Sequence, residues 1–260
     1  MENQTFEWGQ ARQLTPVQFL LAIFLPSSVA FVGFRYVLPN IVAGGIPVMV
    51  AWPVVASIML MGFVVVAVYL LKKEAHDLGI TLWTRMCLRK LTGREWMLYI
   101  GMAVAGLVLV ILTQKLVAPF MDMLNLTVPS YMPFFLNPSI DPLVADPDVV
   151  SPGLPLKGAY GLLPLMAVTL MLNILTEELY FRAWMLPKLN KYGHWGWIAN
   201  GVFFALYHSF QLWLLPVLLV ASLVFAYIFY RSKSIWPLFA THLIGNFLLT
   251  ILSVLLLITR

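Results

Sequence analysis

The sequence predicts an all-α, polytopic membrane protein of about seven transmembrane helices, and three observations carry that prediction. Of its 260 residues 61% are hydrophobic and only 10% charged, with a mean hydropathy of +0.89, whereas soluble domains run near roughly 45–50% apolar and about 25% charged. The apolar residues are gathered into seven runs that cross, or nearly cross, a hydrocarbon core about 30 Å thick at ~1.5 Å per helical residue. The basic residues fall in alternate connections between those runs. Such a composition excludes a soluble α/β enzyme, a disordered chain and an ordinary nucleic-acid binder. The formal charge of +5 comes from 16 basic against 11 acidic residues and reflects topology rather than a polyanionic partner. A single cysteine, Cys87, forbids an intrachain disulfide and a cysteine-cluster metal site.

The elements follow in order. The first sixteen residues, MENQTFEWGQARQLTP, are polar and carry no cleavable signal, because the apolar run after them is too long for a signal core. Spans are expected at about 17–38, 47–71, 97–119, 159–184, 196–213, 214–230 and 235–258. The fifth and sixth share a stretch from Trp195 to Tyr230 without Asp, Glu, Lys or Arg, too long for one span, and Pro216, near Gln211, marks the expected turn. Thr92 and Glu95 have the spacing of a capping box that starts the third span. The connection 72–96 carries Lys72, Lys73, Arg85, Arg89, Lys90 and Arg94 interleaved with Leu78, Ile80, Trp83, Met86 and Leu88. It reads either as a helix lying in the headgroup layer or as a basic loop that only orients the chain. Cys87 within it is expected to be an inert thiol, palmitoylation being the alternative.

Basic residues are retained on the cytoplasmic side. With seven alternating spans, Arg12, the six of 72–96, Arg182, Lys188, Lys191, Arg231 and Lys233 fall inside, against Arg35, Lys115, Lys157 and Arg260 outside. The N-terminus is then cytoplasmic and the C-terminus external. The connection from Phe120 to Lys157 is external, and its seven prolines with Asp122, Asp141, Asp146 and Asp148 predict an irregular, acidic, non-helical cap. No internal repeat of the kind that marks many transporters is visible.

Ionisable side chains within apolar spans cost about 2.5–3.5 kcal/mol each at a helix centre, so those present ask for a reason. The fourth span holds Asn173, Glu177, Glu178 and Arg182, the fifth Asn200 and His208, the seventh His242 and Asn246. Glu178 and Arg182 stand at i and i+4 and can compensate each other, which leaves Glu177, ~100° around the helix, without a local partner. A carboxylate so placed can serve as general base or acid near neutral pH. His242 and Asn246 repeat the i, i+4 spacing, as do Phe204 and His208. Taken singly, the glutamates read as interfacial carboxylates, each histidine as a packing residue and Asn246 as interhelical glue. His76 and His194 lie in inner connections and are simply solvated. Three helices presenting such groups together point instead to one shared cavity.

Glu-Glu-x-x-x-Arg at 177–182, Phe-x-x-x-His at 204–208 and His-x-x-x-Asn at 242–246, in that order on successive hydrophobic helices, resemble the CAAX-protease and bacteriocin-processing (CPBP, or Abi) family of intramembrane endopeptidases. The resemblance covers the last four helices and divides the chain into an N-terminal membrane region, 1–158, and a catalytic core, 159–260. Ala183 stands where members often have glycine. The resemblance implies hydrolysis of a peptide bond in or at the edge of the bilayer. Glu177 is then general base, His208 helps to hold the attacking water, His242 and Asn246 donate to the oxyanion, and Glu178 and Arg182 pair to orient the site. No cofactor is needed in that mechanism. The alternative is a zinc enzyme with Glu177, His208 and His242 as ligands, since two histidines and a carboxylate also make a catalytic zinc set; the absence of a local HExxH pair favours the metal-free form.

The implied partners are membrane lipid and a peptide or membrane-anchored protein substrate, and the expected location is a prokaryotic plasma membrane. A non-enzymatic transporter or ligand-binding scaffold that uses buried Glu and His is the competing class. The lack of a repeat and the confinement of polar groups to the last four helices count against it.

Overall fold

A computed structural model describes residues 6–260. Of the polar N-terminal stretch, residues 1–5 lie outside the described residues. The described chain is built of helices and holds no strand. Six helices are long and apolar enough to cross a membrane: α1 (Pro16–Ala43), α2 (Val48–Leu78), α3 (Gly93–Met123), α4 (Leu162–Tyr192), α6 with its leading turn (Ser209–Ser232) and α7 (Trp236–Ile258). Between α4 and α6 lies α5 (His194–Tyr207), 14 residues long and thus about 21 Å. A 3₁₀ turn, Ser209–Leu214, extends its path before the α-helical part of α6, Leu215–Ser232.

Local chemistry explains the helix ends. Thr15 and Gln18 form a reciprocal capping box with Pro16 at the first helical position of α1. Thr92 and Glu95 do the same for α3, as their spacing predicts: Thr92 Oγ1 accepts from the Glu95 amide at 3.3 Å, and Glu95 Oε2 accepts from the Thr92 amide at 2.8 Å. Gly79, at φ +65°, closes α2 in the left-handed conformation that glycine adopts without penalty.

The chain passes seven times between two ends. At one end the Leu14 amide donates to Lys188 O at 3.0 Å, the Ile235 amide to Cys87 O at 3.1 Å, and Arg89 to Ser232 O at 2.8 Å. This end gathers the connection after α2, the turn after α4 and the turn before α7. At the other end the Gly158 amide donates to Ile258 O at 2.9 Å and Trp213 Nε1 to Leu136 O at 2.8 Å. Arg35 reaches Tyr131 Oη at 3.4 Å, and Arg260 binds the carbonyls of Pro142 and Leu143.

Three expectations are corrected. The turn between the fifth and sixth passes is not at Pro216 but at Gln211, whose φ of −129° and ψ of 51° break the helix. Pro216 sits in the first turn of α6, where a missing N–H leaves no carbonyl unpaired. Connection 72–96 is not a headgroup helix: α2 runs on to Leu78, only Leu82–Arg85 makes a further turn, and Arg85 is fully buried. The connection 120–157 is not wholly non-helical, for α3 continues to Met123 and short turns form at Phe134–Leu136 and Pro147–Val150. Phe134 and Leu156 from it are buried against Met166, Val254 and Leu257.

Lipid is as apolar as leucine, so helices in a bilayer are held by close packing and polar contacts rather than by hydrophobic exclusion. α6 is gripped on two sides by glycines. A Cβ at Gly201 of α5 would stand 3.0 Å from Leu223 Cα and 3.2 Å from Ser222 O, and one at Gly106 of α3 would stand 2.4 Å from Val224 Cγ1. Outward-facing Phe24, Val65, Ile244 and Leu249 remain exposed, as a lipid-facing surface requires. Gly201→Val should force α5 off α6 and cost about 1–3 kcal/mol, read as a lower melting temperature in detergent. Gly101→Val, on α3 with open space around it, should leave melting unchanged.

Candidate active site

α4 is α-helical over Leu162–Thr176 and then widens into a π-helix, Glu177–Met185, at the position of the paired glutamates. Such i→i+5 turns recur at functional sites. Glu177 is 5% exposed and lies between two imidazoles: its Oε1 is 3.4 Å from His208 Nε2 and its Oε2 is 3.5 Å from His242 Nε2. His208 terminates α5 and His242 lies just under two turns into α7. The far nitrogen of each ring is already engaged. His208 Nδ1 bonds Phe204 O at 3.0 Å, and because a carbonyl only accepts, Nδ1 carries the hydrogen. His242 Nδ1 bonds Glu178 Oε1 at 2.9 Å. Both Nε2 atoms are thereby aimed at one carboxylate. Phe204, Tyr207 and Phe225 pack around the rings at centroid distances of 5.0, 4.9 and 5.3 Å.

Arg182 departs from its expected pairing. It does not bond Glu178 but donates to Asn200 Oδ1 at 2.6 Å and to Ser222 O at 3.4 Å, with its guanidinium 4.4 Å above the Phe204 ring. Asn200 in turn donates to Phe181 O at 2.9 Å. Each member of the expected pair finds a nearer partner on another helix, a histidine for Glu178 and a carboxamide oxygen for Arg182. Nor does Arg182 belong with the inner-end cations, being 1% exposed in the core. It fastens α4 to α5 and α6 just behind the glutamates.

Asn173 lies one turn before Glu177 and donates to Glu177 Oε1 at 2.7 Å. Asn246 of α7 donates to Asn173 Oδ1 at 3.1 Å. The structure therefore brings together all six residues singled out in the sequence (Glu177, Glu178, Arg182, His208, His242 and Asn246), and adds Asn173 and Asn200. Both were visible as polar residues in apolar spans, and the i, i+4 spacing of Asn173 to Glu177 was the available signal for the first. Among the described residues no group of three His, Cys, Asp or Glu side chains converges as a metal-ligand set.

The π-helix is also held from the N-terminal half. Arg85 donates to Ala183 O at 2.7 Å and to Trp184 O at 3.2 Å, and twice to Glu74 Oε2, at 2.9 and 2.6 Å. Glu74 Oε1 accepts from Trp184 Nε1 at 3.1 Å and from Lys188 Nζ. One carboxylate thus serves two buried cations beside the carbonyls at the end of the π-helix. No sequence signal marked Arg85, which reads as one more cation in a basic loop. Cys87 beside it is buried, and burial pushes its thiol up to about 11.

Removing one member of a buried ion pair costs about 3–5 kcal/mol because the other charge is left uncompensated. Glu74→Ala should therefore unfold at markedly lower temperature or denaturant than wild type, whereas Lys73→Ala, at an exposed neighbour, should not. The thiolate is the reactive form of cysteine, and at pH 8 a thiol of pKa about 11 is about one part in a thousand ionised. Cys87 should therefore resist maleimide in the folded protein at pH 8 and react once the protein is denatured.

Comparison with known proteins bears on these same helices. Residues 159–248 match the family model described as type II CAAX prenyl endopeptidase Rce1-like. No curated protein matches the chain. No solved structure matches it either. The matched segment contains Asn173, the paired glutamates, Arg182, both histidines and Asn246, so the family match and the polar cluster fall on the same residues. Through these C-terminal helices this integral membrane protein is similar to the family described as type II CAAX prenyl endopeptidase Rce1-like, a family of proteases.

Proposed function

We propose that the chain is an intramembrane endopeptidase in which Glu177 activates water for attack on a peptide bond. The observation that carries this reading is the carboxylate of Glu177 set between His208 Nε2 and His242 Nε2, at 3.4 and 3.5 Å. Peptide hydrolysis needs a proton acceptor for water and donors aimed at the developing oxyanion. With Nδ1 committed to Phe204 O, neutral His208 offers the lone pair of Nε2. A water held by Glu177 Oε1 and His208 Nε2 would find two acceptors for its hydrogens and keep its own lone pair for the carbonyl carbon. Glu177 then takes the proton and passes it to the leaving amine. His242, with Glu178 accepting from Nδ1, donates from a protonated Nε2 to the oxyanion. Preorganised donors of this kind contribute about 3–4 kcal/mol each in a dry site.

The zinc reading asks Glu177, His208 and His242 to meet at one point about 2.0–2.2 Å from each ligand atom. The two oxygens of Glu177 instead face different histidines, and no three-ligand set converges among the described residues. That arrangement of the two oxygens supports the metal-free reading. The family's printed name supports, as substrate class, a prenylated protein ending in a CAAX sequence, whose lipid chain would lie in the same bilayer as the enzyme. The division of the basic residues between the two ends of the bundle supports a cytoplasmic N-terminus and an external C-terminus.

The test is turnover of a quenched peptide library that includes a prenylated CAAX peptide, by purified protein in detergent. Wild type should cleave with or without a strong chelator, and Glu177→Ala, His208→Ala and His242→Ala should each lose at least about a hundredfold in rate while eluting as folded protein. Activity lost to chelator and restored by zinc would overturn the metal-free mechanism, and undiminished turnover by Glu177→Ala would remove that residue as base. Cleavage in detergent needs no ion gradient, whereas a transporter would need one for uptake into vesicles.

A further inference from the structure

We propose that α1 positions the water-activating pair from behind: Ser27 holds the end of α5 that presents His208, and Tyr180 ties the π-helix that presents Glu177 to the same stretch of α1. The inference rests on the assignment of Glu177 and His208 to the activation of water. Its observations are hydrogen bonds on either side of one proline. Ser27 Oγ donates to Tyr207 O at 3.2 Å and lies 3.4 Å from Ser209 Oγ, and Tyr180 Oη donates to Ala22 O at 2.9 Å.

The proline explains why a bond forms there. Pro26 lies inside α1, has no N–H, and leaves the carbonyl four residues earlier, that of Ala22, without the partner an α-helix provides. A carbonyl so placed in an apolar setting asks for a donor, and the phenol of Tyr180 supplies one from α4, three residues after Glu177. The next residue along α1, Ser27, meets a second carbonyl of this kind. Tyr207 is the last residue of α5, where carbonyls run out of α-helical partners. The Gln211 amide, four residues on, bonds His208 O instead, at 2.9 Å. Because a carbonyl only accepts, the single hydrogen of Ser27 goes to Tyr207 O, and in the contact of the two hydroxyls Ser209 is the donor.

His208 sits between the two groups that Ser27 touches. Its backbone, at φ −81° and ψ 29°, has left α-helical values, and Gln211 breaks the path again three residues later. No continuous helix therefore fixes the imidazole. Its Nδ1 bond to Phe204 O fixes the ring, and the hold of α1 on the residues at either side fixes the backbone that carries it. α1 follows this path on both sides of Ser27: Phe19 meets the Phe203 ring at 5.4 Å and Phe34 meets the Phe210 ring at 4.4 Å. Phe19, Ser27 and Phe34 stand about two helical turns apart, so one side of α1 runs along α5 and on past His208. Misplacing a reacting group by about 1 Å can cost on the order of a hundredfold in rate, whereas an interhelical side-chain bond in a bilayer adds little to stability. Loss of either bond therefore shows in rate before it shows in melting.

The experiment measures kcat, KM and melting temperature for the full-length protein in detergent, on the quenched peptide that wild type cuts fastest. Ser27→Ala and Tyr180→Phe should each lower kcat about 3- to 10-fold, the rate equivalent of one hydrogen bond, with KM within about twofold and melting unchanged. Ser27→Thr, which keeps the hydroxyl, should recover most of the rate. Ser57→Ala is the control: it removes an interhelical hydroxyl contact of the same kind, to Thr169 at 2.8 Å, about two turns before Glu177, and should leave kcat at the wild-type value.

Wild-type kcat in Ser27→Ala would overturn the assignment of Ser27, and wild-type kcat in Tyr180→Phe that of Tyr180. A loss in Ser57→Ala as deep as theirs would overturn both, by showing that any loosened helix contact slows the enzyme. A loss confined to KM would overturn both as well, because α1 would then act on substrate binding. Glu177→Ala and His208→Ala separate this inference from the one beneath it: if they turn over at the wild-type rate, the water-activating assignment fails and the proposal with it. If they are inactive while Ser27→Ala and Tyr180→Phe keep the wild-type rate, only the proposal fails. Elution as a single species establishes folding, and where one of the two variants does not fold, the other decides alone.

Discussion

A carboxylate in the middle of an apolar helix bundle is the constraint around which the rest of this protein is arranged. Glu177 is buried, and an unpartnered charge inside such a bundle costs several kcal/mol. Three polar groups are turned toward it: a carboxamide one turn earlier on its own helix, and one imidazole nitrogen from each of α5 and α7. Each of those groups is itself held from behind, by Phe204 O, Glu178 or Asn246. This second layer matters because a neutral imidazole presents a donor or an acceptor depending on which nitrogen keeps its hydrogen. Fixing the far nitrogen fixes what the near one offers.

The π-helix that carries the glutamates has a second consequence. A stretch of nine residues with i→i+5 bonding changes pitch at both of its ends, and carbonyls left there need partners other than the next turn. Arg85 supplies two of them, and Arg182 and Asn200 bind the same helix to α5 and α6. The N-terminal half, which carries no motif, is thereby part of the support for the site.

That support is extended by residues 6–14, which cross the end of the bundle that holds Arg85, Lys188 and Lys233 as a strap. Trp8 is buried under Lys233, and Phe6 lies 4.6 Å from the Arg85 guanidinium. Gln13 donates to Trp8 O, Ala11 O and Pro187 O and accepts from the Lys191 amide. Three separate connections are tied together there by one short segment. Burial against its neighbours holds Lys233 down to about 8, well under the usual lysine range, so this cation is part of the packing as much as of the charge asymmetry between the two ends.

What the sequence alone determined are the properties that follow from composition and local spacing. Hydropathy marks where the chain can enter a bilayer, because the cost of exposing backbone there leaves only helices and closed barrels, and runs of this length are helices. The alternation of basic connections sorts them to two ends. The Thr92–Glu95 box is local and forms as its spacing predicts. The six site residues were legible because each is costly in an apolar span and each recurs at helical spacing with another.

What only the tertiary structure decided is which partner each polar group takes. The i, i+4 rule offers Glu178 to Arg182, but it describes an isolated helix, and in the bundle a histidine from α7 and an asparagine from α5 approach more closely. The same holds for Arg85, whose burial depends on where α2 stops and α4 widens, and for residues 6–14, which form an anchored strap. Changes to π-helical pitch, at Glu177 and at Phe247, leave no mark in periodicity over so few residues. Charge and hydropathy act along the chain and can be read from it; hydrogen-bond direction acts between helices and is settled only when they meet.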